Sequence, residues 1–173
     1  MPSSTALTEA IALMMGDIKK KENILKGIVP EDILQGYKDS LKKDEIENVV
    51  RELQVMDFER EIYNNPDQNP AELWVKMREK YLDIYTPADN EWADMAHYLN
   101  RPGYYQNYFR ATLMKAQIYN HLNKVLGNIT ENPKTAEYLN KNIFSAGASV
   151  NEYDLIKQLT GKEFGADDFI KNL

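Results

Sequence analysis

The pair Pro102-Gly103 does most to limit what this chain can fold into. Proline fixes φ and has no N–H to donate, and glycine opens positive φ, so the pair breaks regular structure. The residues after it have the period of a helix. Tyr105, Tyr108, Phe109, Thr112, Leu113, Ala116, Tyr119 and Leu122 recur every three or four residues, the spacing of one helical face. That predicts a helix from near Tyr104 to about Leu126, where Gly127 ends it. The residues before the pair, His97 to Arg101, read as a short non-helical passage. The stretch Trp92–Leu122 therefore sets an imidazole on a loop in front of a helix whose first turns carry Tyr105 and Tyr108. Such an arrangement can place one His and two phenols around a single cleft. A simpler reading stands beside it: tyrosines at helical spacing bury their rings in a core, and a lone histidine is a structural one.

The rest of the chain also reads as helix. Ser3, Ser4 or Thr5 can cap a first helix reaching about Lys21. Its apolar residues Ala6, Leu7, Ala10, Ile11, Leu13, Met14, Met15 and Ile18 cover more than one face, which predicts burial between neighbours. Glu9 interrupts that surface, and a carboxylate there is costly unless paired or metal-bound. Pro30-Glu31-Asp32 opens a second helix with Ile33, Leu34, Tyr37 and Leu41 inward. Asp44 and Glu47 form a capping-box-like pair that fits either a break or a continuation. Asn69-Pro70-Ala71-Glu72 is a strong start signal, with an N-cap, a proline at the first position and an acid at the third. Asn132-Pro133 starts another helix with Ala136, Leu139, Ile143 and Phe144 inward. Ser149 to Glu152 reads as a capping box ahead of Leu155, Ile156 and Leu159.

Composition excludes several classes. A net charge of −6 argues against a general nucleic-acid binder, which needs a basic face. With 43% hydrophobic and 28% charged residues the chain has a globular composition. The longest apolar run, Ala10 to Met15, is too short to span a membrane. Cysteine is absent, which removes thiol chemistry and disulfides. At 173 residues the size prior is one domain, covering 1–173.

His97, then a Pro-containing loop, then Tyr105-Gln106-Asn107-Tyr108-Phe109 opening a helix resembles the substrate-binding segment of the angiotensin-converting-enzyme-like dipeptidyl carboxypeptidases. These are helical zinc peptidases with an HExxH motif. Thr8-Glu9-Ala10-Ile11 resembles the helix that supplies their third zinc ligand. Val55-x-Asp57-Phe58-x-Arg60, paired with Leu73-Trp74 through Lys80-Tyr81-Leu82, is similar to the same family, in the same order. So are the closing segments Phe144–Ser149 and Leu159–Glu163. The resemblance implies that Glu9 is a zinc ligand and that His97 and Tyr108 are catalytic, hydrogen-bonding the scissile carbonyl and its oxyanion. Tyr105 would hold the substrate's C-terminal end. Met95 and Asn107 stand where the family carries basic residues, and both departures weaken a carry-over of its carboxylate and chloride chemistry; Leu13 stands where the family carries an Asp four residues beyond the zinc-ligand Glu.

A zinc site of that type needs two histidines one helical turn apart with a glutamate between them. The only histidines here, His97 and His121, are 24 residues apart, and no HExxH occurs. The resemblance therefore implies an all-α, multi-helix array, the C-terminal half of a helical zincin-type peptidase domain and a fragment of it. Zinc and a peptide substrate belong to the intact parent, and this chain alone is expected neither to hold the metal nor to hydrolyse peptides. The missing N-terminal half is its expected partner, and the face left uncovered favours self-association. Neither nucleic acid nor membrane is an expected partner. The alternative, from a different class, is a stand-alone helical binding or scaffold module that keeps an aromatic groove without catalysis.

Overall fold

A computed structural model describes residues 4–87, 89–130 and 132–173, and among these the secondary structure is helix, turn and loop, with no strand. The fold is all-α. In chain order the helices are α1 (Thr5–Gly16), α2 (Glu22–Leu25), α3 (Glu31–Asn64), α4 (Pro70–Leu82), α5 (His97–Asn100), α6 (Gln106–Leu126), α7 (Pro133–Asn142), α8 (Glu152–Thr160) and α9 (Asp167–Asn172). None of the described helices is long and apolar enough to cross a membrane.

Local chemistry accounts for most boundaries. Ser4 caps α1, its hydroxyl accepting from the Leu7 N–H at 3.0 Å. The helix stops at Gly16, and Asp17–Lys20 continue as a 3-10 turn, short of the expected end at Lys21. Asn69 caps α4 through the Ala71 N–H at 3.0 Å and the Glu72 N–H at 3.4 Å, with Pro70 at the first helical position. No proline lies between Pro30 and Pro66, so α3 passes through Asp44–Glu47 without a break. Pairs one turn apart support its exposed face, Gln35 to Asp39 at 2.8 Å and Lys43 to Glu47 at 3.7 Å. The cap of α8 is Asn151, which accepts from the Tyr153 N–H at 2.9 Å. The expected Ser149–Glu152 box does not form, because the buried Glu152 carboxylate pairs with Arg110 while the Ser149 hydroxyl donates to Ala146 O. Helix α9 gave no signal that sequence reasoning used.

The chain divides into two compact units, one made of residues up to Leu41 together with Arg110–Leu173, the other of Lys42–Phe109. In the first, Ala6, Leu7, Ala10 and Met14 of α1 join a core with Ala111, Met114, Ile118 and Leu122 of α6. Leu139 of α7, Ile143, and Leu155, Ile156 and Leu159 of α8 complete it. Helix α1 thus buries one stripe and not all round, since Met15 is exposed. Ile33 and Tyr37 are also exposed (55% and 42%), and so are Ala136 and Phe144, against the expected inward faces. An apolar stripe shows that a helix has a sticky face but not that a neighbour covers it. Polar ties hold the ends of this unit. Lys115 meets Asp17 at 2.7 Å, and the buried Gln117 donates to Glu163 O at 2.9 Å and accepts from the Gly165 N–H at 3.3 Å.

In the second unit Val55 and Phe58 of α3 pack with Leu73, Trp74 and Met77 of α4 and with Tyr98. The two helices are also tied by charge. Asp57, buried on α3, accepts from Lys80 at 2.9 Å and from the Tyr81 hydroxyl, both on α4, and pairs with Arg60 one turn along α3 at 2.9 Å. The residues Val55, Asp57, Phe58, Leu73, Trp74, Lys80 and Tyr81, grouped by sequence order alone, therefore meet in space.

Ile156 has no exposed surface whereas Phe144 is 51% exposed. Ile156→Ala is expected to lower the unfolding free energy by about 2–5 kcal/mol, and Phe144→Ala to stay within about 0.5 kcal/mol of wild type. Urea titration followed by circular dichroism checks both.

Candidate functional site

The candidate site lies in the second unit and is built from the turn that joins α4 to α6. Trp92 and Met95 pack on the Phe58–Trp74 core and bring the chain to α5. The passage expected to be non-helical is therefore a single helical turn from His97 to Asn100, closed by the Arg101 N–H on His97 O at 2.9 Å. The break itself falls where expected. Gly103 has φ +75°, the left-handed region that side chains rarely adopt, and a Cβ there would stand 3.2 Å from the Gln106 amide nitrogen. The chain reverses at this point and launches α6.

The reversal gathers rings. The His97 imidazole stacks on Tyr104, with centroids 4.6 Å apart and planes 16° from parallel, and meets Tyr105 edge-on at 5.4 Å. The Tyr105 hydroxyl lies 3.4 Å from His97 Nδ1. Tyr108 joins through Tyr104 at 5.4 Å and Tyr105 at 6.0 Å. The structure thus brings together His97, Tyr105 and Tyr108, three of the four residues singled out in the sequence. The fourth, Glu9, is half-buried on α1 and belongs to the other unit.

Tyr104 and Glu59 were missed by sequence reasoning. Tyr104 could have been found as a further ring directly after the Pro102-Gly103 break, four positions before Tyr108. Glu59 carries no such signal, being one charged residue among several on α3. Yet it is buried, and its carboxylate accepts from the Gly103 N–H at 2.6 Å. Burial pushes the Tyr105 phenol above its ordinary pKa, and the Glu59 charge adds to that. Burial acts the same way, and more strongly, on Tyr98. Tyr105 is therefore a neutral hydroxyl across the physiological range, able to donate a hydrogen bond to a carbonyl oxygen.

His121 is a different kind of histidine. It belongs to the first unit, with Nε2 2.7 Å from the Tyr138 hydroxyl. Desolvation, helped by Lys124, holds its pKa below the ordinary value. The structural reading fits it.

These observations describe an all-helical protein carrying a cluster of one histidine and three tyrosines. Residues 56–173 match the carboxypeptidase Taq (M32) metallopeptidase family, and the chain belongs to that family. No curated protein and no solved structure matches it. The family consists of zinc-dependent metallopeptidases, which bears out that level of the sequence reading; the angiotensin-converting-enzyme-like identity is not what the match names. His97, Tyr105 and Tyr108 fall inside the matched span and Glu9 outside it. Among the described residues no group of three His, Cys, Asp or Glu is disposed to hold a metal ion. What these side chains offer is hydrogen-bonding groups on stacked and edge-on rings.

The environment of His121 can be checked by titration. With its folded pKa depressed, His121 is expected to titrate in proton NMR with a midpoint below the ordinary value of about 6.5. The same shift makes the first unit lose stability as pH falls below that value, because the unfolded chain then binds the extra proton. A His121 midpoint at or above the ordinary value would contradict this environment.

Proposed function

We propose that this chain is the substrate-binding part of a zinc-dependent carboxypeptidase, holding the C-terminal end of a peptide and polarising its scissile carbonyl. One observation carries this: His97, Tyr105 and Tyr108 form one cluster inside the span that matches a carboxypeptidase family. In this reading the His97 imidazole and the Tyr108 hydroxyl donate to the carbonyl oxygen and to the oxyanion it becomes. Hydrogen bonds aimed at developing charge in a site held in advance are the largest electrostatic contribution to such reactions. Tyr105, protonated and half-buried, holds the peptide's C-terminal end. Glu9 is carried along as the third zinc ligand of the intact site, on the resemblance of Thr8-Glu9-Ala10-Ile11 alone. The dipeptidyl-carboxypeptidase form of the reading, release of two residues at a time, rests on the Tyr105–Phe109 motif.

This chain on its own binds and does not cleave, since the sequence lacks the paired histidines that hold a catalytic zinc. The test is calorimetric titration of the 173-residue chain with a short peptide bearing a free C-terminal carboxylate, beside the same peptide amidated. The free acid is expected to bind more tightly. Tyr105→Phe is expected to reduce that preference, and Tyr108→Phe to weaken both peptides by about 0.5–1.5 kcal/mol, the net worth of one hydrogen bond. Equal binding of both forms, unchanged in the variants, would favour the non-catalytic scaffold module instead.

A further inference from the structure

Two residues of α3, one helical turn apart, grip the turn that carries the candidate site. The Tyr63 hydroxyl donates to the Tyr98 carbonyl at 2.5 Å, and Glu59 accepts from the Gly103 N–H at 2.6 Å. One contact lies at each end of the segment from His97 to Gly103. Glu59 is 3% exposed. Burying a carboxylate costs several kcal/mol unless it is paired, so packing alone does not explain a glutamate here. Glutamine of nearly the same shape would carry no charge.

The partner of that carboxylate is informative. Gly103 sits at φ +75°, and the dihedrals there set the direction in which α6 leaves the turn. That direction decides whether the Tyr104 ring lies over His97 at 4.6 Å and whether the Tyr105 hydroxyl comes within 3.4 Å of Nδ1. The Glu59 charge also acts on the phenols of Tyr63, Tyr98 and Tyr105, disfavouring loss of their protons.

We propose that Glu59 is a positioning residue for the His97–Tyr105–Tyr108 group, fixing the Gly103 turn from α3 while Tyr63 fixes its other end. Glu59 acts through the backbone of the turn. The proposal rests on the reading of that group as the peptide-binding one, but its geometry can be measured without any peptide.

The experiment is proton–carbon NMR of the histidine rings in the full 173-residue chain. Two histidines give two sets of ring signals, assigned with His97→Gln. Stacking on Tyr104 displaces the His97 ring protons upfield through the ring current, whereas His121 reports on the other unit and serves as the control. Glu59→Ala is expected to move the His97 signals back toward the position of a free histidine and leave His121 in place. Glu59→Gln keeps an oxygen that can accept the Gly103 N–H, and is expected to retain the upfield position. Tyr63→Phe removes the second grip and is expected to reduce it. Should Glu59→Ala fail to fold, seen as movement of both histidines, the Gln and Phe variants decide the matter. Upfield His97 signals unchanged in Glu59→Ala, or in Tyr63→Phe when the Ala variant does not fold, would overturn the proposal, as would Glu59→Gln behaving like the Ala variant. Failure of peptide binding in the wild type, with these shifts as expected, would strike the functional reading and leave the positioning role intact.

Discussion

The candidate site depends on one ring. Phe58 has no exposed surface, and three aromatic side chains close on it: Trp74 at 5.1 Å edge-on, Tyr98 at 5.3 Å and Trp92 at 6.0 Å. Each neighbour comes from a different part of the unit: Trp74 from α4, Tyr98 from α5 and Trp92 from the connecting turn. A fully buried aromatic contributes several kcal/mol, and edge-on pairs add to it. Because interiors are close-packed, fixing those rings fixes the backbone that bears them. The imidazole immediately precedes Tyr98 in sequence, so the hydrophobic cluster sets where His97 starts. The polar grips from α3 then set where its partners arrive.

The same helix therefore does two jobs over two turns. Its apolar residues Val55 and Phe58 make the core of the unit. Its buried charges Asp57 and Glu59 hold, respectively, α4 and the Gly103 turn. Charged groups at such positions are stabilising only when their partners are in place, which makes the segment specific in register as well as cohesive. Tyr105, a phenol kept neutral by burial next to the Glu59 carboxylate, is a suitable hydrogen-bond donor to the C-terminal end of a peptide in the proposed function. The family to which the chain belongs is one of zinc-dependent metallopeptidases, and in the proposed function the chain's own His and Tyr side chains would supply hydrogen bonds to that chemistry.

How much of this was legible in the sequence depended on how local the cause was. The α4 start at Asn69-Pro70 and the break at Pro102-Gly103 were readable because the cap and the dihedral restriction act within a few residues. The His97–Tyr105–Tyr108 grouping was readable because helical spacing and one turn suffice to bring the rings together. The inward placement of Ile33, Tyr37, Ala136 and Phe144 was misjudged, since periodicity does not report whether a neighbour is present. The Asp44–Glu47 pair was ambiguous because an acid three residues before another fits a helix interior as well as a cap. The role of Glu59 was invisible, because it depends on a hydrogen bond to a residue 44 positions away. The match to the family begins inside α3, so it takes in Glu59, Tyr63 and the His–Tyr cluster together.

The central claim, that His97 and its tyrosines receive the C-terminal end of a peptide, is tested most directly by following both histidine rings in NMR as a free-acid peptide is added to the chain. The account predicts that the His97 ring signals move in a saturable way while those of His121 do not. Saturable binding that moves His121 and leaves His97 in place, or that moves neither, would contradict it.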